Sequence, residues 1–165
     1  MDEKKRVVPQ KLPKGLYRAL EDIVGEDYIS EDRAVMETYS KYSIDCPGYL
    51  KKYARDPSNI PACVVLPATT EEVQAICRLA HRHKIKINPF TNGQFLLSAP
   101  TTPDPTIFIH VSRMNWVEID EDNMTARLGA NADEGLLQEE AMKKRLWNGG
   151  TPLATPHCKL SSQSA

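Results

Sequence analysis

Residues 61–120 constrain the fold most, because short apolar runs alternate there with a single helical pattern. The run at 62–66 is short and β-branched, which predicts a buried strand. Across 69–84 apolar residues recur at helical spacing, with glutamates in the first turn and basic residues in the last, as the helix dipole favours. The runs at 85–88 and 107–111 predict two more strands. The stretch therefore predicts strand, helix, strand and strand in that order.

The first strand, the helix and the second strand together form a predicted βαβ unit. Such a unit has parallel strands joined by a right-handed crossover. The residues that follow the second strand, 89–105, are predicted to form a loop that begins with PFTNGQFLLSAP. Open α/β sheets bind ligands beyond the carboxyl ends of their strands, so we expect the functional site at this loop.

Composition excludes several classes of protein. The chain has 165 residues, 41% apolar, with a net charge of −1, which is ordinary for a globular domain and gives no basic surface for nucleic acid. No apolar run approaches the roughly 20 residues that span a bilayer, and no export signal is evident, so a cytoplasmic protein is expected. The four cysteines include no C-x-x-C pair, and no metal site is predicted. Cys63 and Cys77 fall on predicted buried faces, as free thiols in a reducing compartment would.

The rest of the chain adds helices and a hairpin. Residues 1–60 are predicted to be a helical and irregular segment, separate from a domain at 61–165. Residues 117–119 and 124–128 are predicted to pair as a β-hairpin, and 132–146 to form a helix capped by Asn131 or Asp133. The predicted fold class is α+β, with short parallel strands, flanking helices and a hairpin.

Few residues in the sequence indicate a catalytic or binding role by themselves. Asn92-Gly93 is either a turn that brings backbone amides onto a phosphate or a turn and nothing more. Neither nucleotide-binding glycine fingerprint occurs. His110 lies in an apolar strand, where a satisfied histidine is more common than a catalyst, and the His157–Cys158 neighbours lack the geometry of a nucleophile and its base. The catalytic residues are therefore unknown from the sequence.

Several segments resemble one family when they are taken in order. These are the strand-Pro-x-Thr-x-Glu-Glu-Val helix start at 67–73, the SRMN turn before VEID, and the D-N-M-T-A segment at 122–126. Over about residues 55–165 the chain resembles the first part of the FAD-binding domain of FAD-linked oxidoreductases. That group includes vanillyl-alcohol oxidase, p-cresol methylhydroxylase and flavoproteins of the glycolate oxidase or D-lactate dehydrogenase type.

The resemblance implies a cofactor and the residues that hold it. In the family, the loop after the second strand wraps the FAD pyrophosphate through backbone amides and is usually glycine-rich. Here Phe90 stands where arginine is common, and only one glycine is present. The absence of histidine in this loop implies non-covalent FAD. The implied cofactor-binding residues are Phe90, Thr91, Asn92, Gly93, Gln94 and Phe95, with Pro152, Thr155, Ser161 and Ser162 in a second contact region.

The same resemblance implies the activity of the intact protein. It would oxidise a small alcohol or 2-hydroxy acid by hydride transfer to FAD, and this chain would supply the pyrophosphate and adenine cradle. The family's FAD domain and its substrate domain extend further, so a missing C-terminal half or a partner subunit is expected. The alternative is a non-catalytic scaffold or interaction subunit that kept the fold and lost the cofactor, with a sheet edge open to self-association.

Overall fold

The computed structural model describes residues 11–39, 60–91 and 105–149. The chain divides into two compact units, Met1–His110 and Val111–Ala165. The helices of the described residues are α1 (Lys14–Val24), α2 (Arg33–Tyr39), α3 (Thr70–His83) and α4 (Glu134–Lys143), with a 3₁₀ turn at Glu26–Tyr28. The strands are β1 (Ile29–Ser30), β2 (Cys63–Val65), β3 (Lys86–Phe90), β4 (Thr106–His110), β5 (Val117–Asp120) and β6 (Thr125–Leu128). This confirms the predicted mixture of parallel strands, helices and a hairpin.

The first unit contains a four-stranded sheet in the order β1-β2-β4-β3. Strands β2 and β3 both pair with β4 in parallel, and the short β1 pairs with β2 antiparallel. The predicted parallel direction of β2 and β3 is therefore confirmed. The sequence did not indicate that β4 lies between them, so the βαβ crossover spans one intervening strand.

The end of β3 differs from its prediction. The loop was expected to begin at Pro89, but Pro89 and Phe90 belong to the strand and pair in register with Ile109 and His110. Proline lacks an N–H and is tolerated in an edge strand, and β3 is the outer strand of the described sheet. The candidate loop therefore leaves the sheet one residue after Phe90, at Thr91.

Both faces of β2 and β4 are buried, whereas β3 is largely exposed. On one face Val64 and Phe108 pack with Met36 of α2 to form a fully buried cluster. Side chains alternate along a strand, so Cys63, Val65, Ile107 and Ile109 lie on the opposite face, and each is at most 4% exposed. Helix α3 contacts α1 and β3, and buries Ile76, Leu79 and Ala80. The two central strands are thus covered from both sides, as strands of parallel sheets usually are.

Helix α3 begins as the sequence indicated. The Thr69 hydroxyl accepts a hydrogen bond from the Glu72 amide at 3.2 Å, and the Glu72 carboxylate accepts one from the Ala68 amide at 2.7 Å. This reciprocal pair is a capping box. The predicted buried stripe is correct at Ile76 and Ala80, whereas Cys77 is only partly buried.

The second unit consists of the β5–β6 hairpin and α4. Asp120 accepts hydrogen bonds from the Asn123 amide at 3.0 Å and from its side chain at 2.8 Å, and these bonds lower the pKa of the Asp120 carboxyl. Asp133 caps α4 by accepting a bond from the Leu136 amide at 2.8 Å. Of the two caps predicted, Asp133 is correct, and α4 is shorter than the predicted 132–146 because it ends at Lys143.

Cys63 is fully buried in β2, and this burial raises the pKa of its thiol from 9.0 to about 12, with the Glu31 carboxylate as a smaller cause. A thiol whose pKa is higher in the folded state contributes stability that is fully present below pH 9 and is lost as the pH rises toward 12. We expect the free energy of unfolding of the wild type to fall by about 1 kcal/mol between pH 9 and 10, relative to a Cys63→Ala variant. Urea unfolding of both proteins at each pH measures this difference.

The Cys63→Ala variant serves as the reference because every other titrating group is common to both proteins. Its unfolding free energy carries the pH dependence of all the remaining titrating groups, including the other three cysteines. Equal slopes for the two proteins between pH 9 and 10 would show that the thiol titrates normally in the folded state.

Candidate functional site

The three parallel strands of the first unit end at one edge of the sheet. Phe90, the last residue of β3, is in register with His110, the last residue of β4. Thr91 follows Phe90 and begins the segment that the sequence assigned to ligand binding. This carboxyl edge is where open parallel sheets bind their ligands, so it is the candidate site.

A cluster of four rings lies at this edge, formed by Tyr39, Phe90, Phe108 and His110, and we call it the ring cluster. Phe90 stacks on Phe108 with centroids 6.1 Å apart and meets His110 edge-on at 5.3 Å. Tyr39 meets Phe90 at 5.2 Å, His110 at 5.5 Å and Phe108 at 6.0 Å, each time edge-on. Edge-to-face and offset contacts at these separations are favourable. The cluster therefore joins α2 to the ends of β3 and β4.

Tyr39 and His110 are also joined by a hydrogen bond. The Tyr39 hydroxyl lies 2.7 Å from Nδ1 of His110. Partial burial raises the pKa of the Tyr39 phenol. The Tyr39 phenol is therefore protonated at ordinary pH, and its hydrogen bond to His110 restrains the orientation of both rings. His110 is a satisfied histidine in this structure, in agreement with the more common of its two interpretations.

The predicted cofactor-binding residues are only partly described. Phe90 and Thr91 lie at the carboxyl edge, Phe90 within the strand and Thr91 directly after it. The other predicted residues lie outside the described part of the chain: Asn92, Gly93, Gln94, Phe95, Pro152, Thr155, Ser161 and Ser162. The structure adds Tyr39, which the sequence analysis did not connect with the site, because nothing local in the sequence links it to residues so distant along the chain.

The amino end of α3 lies at the same edge, but its first turn already carries a hydrogen-bonded cap and negative charge. A free helix N-terminus attracts anions through its unpaired amides and its dipole. Here the Glu72 amide already donates to the Thr69 hydroxyl, and Glu71 and Glu72 supply negative charge in the first turn. These two carboxylates make the first turn of α3 unfavourable for an anionic ligand.

A cleft of about 580 Å³ lies at the amino end of β2, away from the carboxyl edge. Its apolar floor includes Met36 and Ile60, and its rim carries Lys11 and Glu31, whose charged groups are 3.8 Å apart. The cleft contributes no residue to the candidate site.

Among residues 11–39, 60–91 and 105–149, no group of three metal-ligating side chains occurs and no helix is long and apolar enough to cross a membrane.

Comparison with solved structures shows the same fold in larger proteins. An alkyldihydroxyacetonephosphate synthase superposes with a TM-score of 0.81 at 23% identity, over 98% of this chain and 30% of that one. The 4-ethylphenol oxidase from Gulosibacter chungangensis, in its isoeugenol complex, gives 0.65 at 23% identity, over 84% and 26%. Substrate-bound p-cresol methylhydroxylase gives 0.66 at 18% identity, over 84% and 27%. The chain thus spans less than a third of the length of each of these three.

Sequence comparison identifies the family. A comparison with curated protein sequences found no match. The family model of the FAD binding domain matches residues 61–162, which is more than half of the chain. This match confirms the resemblance and the cofactor that were predicted from the ordered segments of the sequence. The chain belongs to the FAD binding domain family of flavin oxidoreductases, whose cofactor is FAD.

Proposed function

We propose that this chain supplies the FAD pyrophosphate and adenine cradle of a flavin-dependent oxidoreductase, and that it holds the cofactor without a covalent bond. The observation that carries the proposal is the family match over residues 61–162, together with a parallel sheet whose carboxyl edge leads into the predicted loop. The bound flavin would supply the redox chemistry, and the protein would orient it.

The chemistry of the carboxyl edge fits a diphosphate. Where the predicted loop begins, the described residues are Tyr39, Phe90, Thr91 and His110, and none of these carries a negative charge; the carboxylates of this edge, Glu71 and Glu72, belong to α3. Thr91 offers a hydroxyl and a backbone amide as donors, and the next three residues are Asn92, Gly93 and Gln94. No carboxylate of this set would repel the phosphates, so the cradle is assigned to Thr91 and its successors through Phe95.

A small alcohol or a 2-hydroxy acid is the substrate class we propose for the intact protein. A 4-ethylphenol oxidase and a substrate-bound p-cresol methylhydroxylase share the fold, which supports oxidation of a small hydroxylated compound. An alkyldihydroxyacetonephosphate synthase shares it too, so the fold alone does not select the substrate. The substrate-binding groups would come from a C-terminal half or a partner subunit, and we place the protein in the cytoplasm.

The test is an absorbance spectrum of the purified chain between about 300 and 550 nm, taken before and after addition of FAD and desalting. Flavin bands that survive desalting are the expected result. Acid precipitation should then release the flavin into the supernatant, because no covalent bond holds it. A yellow precipitate would contradict the non-covalent attachment, and a colourless protein that does not retain added FAD would support the scaffold alternative.

A matched pair of variants tests the assignment to the loop. Thr91→Val removes one hydroxyl from the candidate cradle, and we expect FAD affinity to fall by about tenfold, as for loss of one hydrogen bond to a charged group. Thr125→Val removes a hydroxyl from the exposed strand β6 and should leave FAD affinity unchanged. Equal FAD affinities for the two variants would show that the Thr91 hydroxyl is not part of the cradle.

A further inference from the structure

The family match begins at residue 61, yet a side chain from before that point reaches the carboxyl edge. Tyr39, the last residue of α2, contacts the final residue of both β3 and β4. It also contacts Phe108, the fully buried ring behind them. The N-terminal segment is therefore in contact with the place where the candidate cradle begins.

We propose that residues 11–39 complete the cofactor site, with Tyr39 as a positioning residue that holds the end of β3 through Phe90 and His110. The inference rests on the proposed function, since it assumes that the segment after β3 holds FAD. Tyr39 itself need not touch the cofactor. Its role is to fix the point and direction in which the chain leaves the sheet.

The end of β3 requires such support. In the described sheet β3 is an outer strand, so its backbone has one neighbour, β4. The ring of Phe90 adds contacts at the strand end, since three rings surround it at centroid distances of 5.2, 5.3 and 6.1 Å.

Tyr39 is itself held in place by α2. Met36, one turn earlier, is buried against Val64 and Phe108. Asp32 caps the helix by accepting a hydrogen bond from the Ala34 amide at 2.8 Å. The Tyr39 ring therefore projects from a helix that is anchored to the core, and its hydrogen bond to His110 adds a directional restraint that ring packing alone does not give.

The first experiment uses the FAD-free protein and a Tyr39→Phe variant, which keeps the ring and removes the hydroxyl. We expect the backbone order parameters of Phe90 and Thr91, from ¹⁵N NMR relaxation, to fall from about 0.85 toward 0.6 in the variant. Tyr17→Phe is the matched control, because Tyr17 lines the cleft at the other end of the sheet. Unchanged order parameters at Phe90 and Thr91 in Tyr39→Phe would overturn the positioning role.

The second experiment measures FAD affinity. Because Tyr39→Phe loses one neutral hydrogen bond, we expect its FAD affinity to fall by about threefold to tenfold. The FAD affinity of Tyr17→Phe should not change. A Tyr39→Phe/His110→Phe double variant should bind no more weakly than the weaker single variant, because both changes remove the same bond. Additive losses, or a wild-type affinity in Tyr39→Phe, would overturn the link between Tyr39 and the cofactor.

The two experiments separate the inference from the proposed function. If the wild type retains no FAD, the proposed cradle fails, whereas the order parameters still decide whether Tyr39 positions the end of β3. A merely structural role would lower the midpoint of urea unfolding in Tyr39→Phe without changing the FAD affinity of the folded protein. That combination of results would overturn the proposal.

Discussion

A Gly129→Ala substitution is expected to destabilise the second unit by about 3 kcal/mol, the upper end of the range for overpacking. A Cβ at this position would lie 2.2 Å from the carbonyl oxygen of Met114 and 2.7 Å from its carbonyl carbon. The neighbour is backbone and cannot rotate away. Its oxygen also accepts the amide of Asn131 at 2.9 Å, and the Gly129 amide donates to the Trp116 carbonyl at 2.9 Å, so a shift would strain both bonds.

The measurement is urea unfolding followed by tryptophan fluorescence. Both tryptophans of the chain, Trp116 and Trp147, belong to the second unit, so their signal reports on that unit directly. Gly149→Ala is the control, since Gly149 belongs to the same unit and a Cβ there would meet no neighbouring atom within 4 Å. This variant should unfold at the same urea midpoint as the wild type. Equal midpoints for Gly129→Ala and the wild type would contradict the expected clash.

A Phe108→Ala substitution should destabilise the first unit by about 4 kcal/mol, within the range for truncation of a buried phenylalanine. Phe108 has no exposed surface and lies in β4, between the other two parallel strands. The change removes its contacts with Phe90 and Tyr39 and leaves a cavity below the ring cluster. Far-UV circular dichroism during urea unfolding measures the loss.

The Phe108→Leu variant provides the matched comparison. Leucine retains most of the buried volume but not the ring, and we expect a cost of about 1 kcal/mol. The difference in unfolding free energy between Phe108→Ala and Phe108→Leu then reports the cost of the cavity. The cost of Phe108→Leu relative to the wild type reports the lost ring contacts. A similar cost for leucine and alanine would show that the ring geometry matters more than the buried volume.

The sequence predicted elements well where the signal was local. The cap Asp133 and the hairpin turn at Asp120 act through contacts within a few residues, so their patterns can be read directly. The position of β4 could not be predicted this way. Strands β2, β3 and β4 are all short and apolar, and the choice of neighbour depends on packing across the sheet and not on any one strand.

The residues of the candidate site also divide into those that the sequence predicted and those that depend on contacts between distant parts of the chain. The loop after β3 was predicted from strand order and from the family resemblance, and apart from Phe90 and Thr91 the residues predicted there lie outside the described part of the chain. Tyr39 was missed because its partner His110 lies 71 residues further along the chain. Phe90 was placed in the loop because Pro89 suggested the end of the strand, whereas an outer strand accepts a proline without losing a needed donor.

The strand order has a consequence for how the chain is made. Neither β2 nor β3 has a parallel partner until β4, the last of the three, has been synthesised. During translation β3 would leave the ribosome without a partner strand and β2 with only the two residues of β1, so assembly of the parallel sheet would follow as one late step. A chain that ends before residue 106 would thus lack the strand on which the parallel sheet is built.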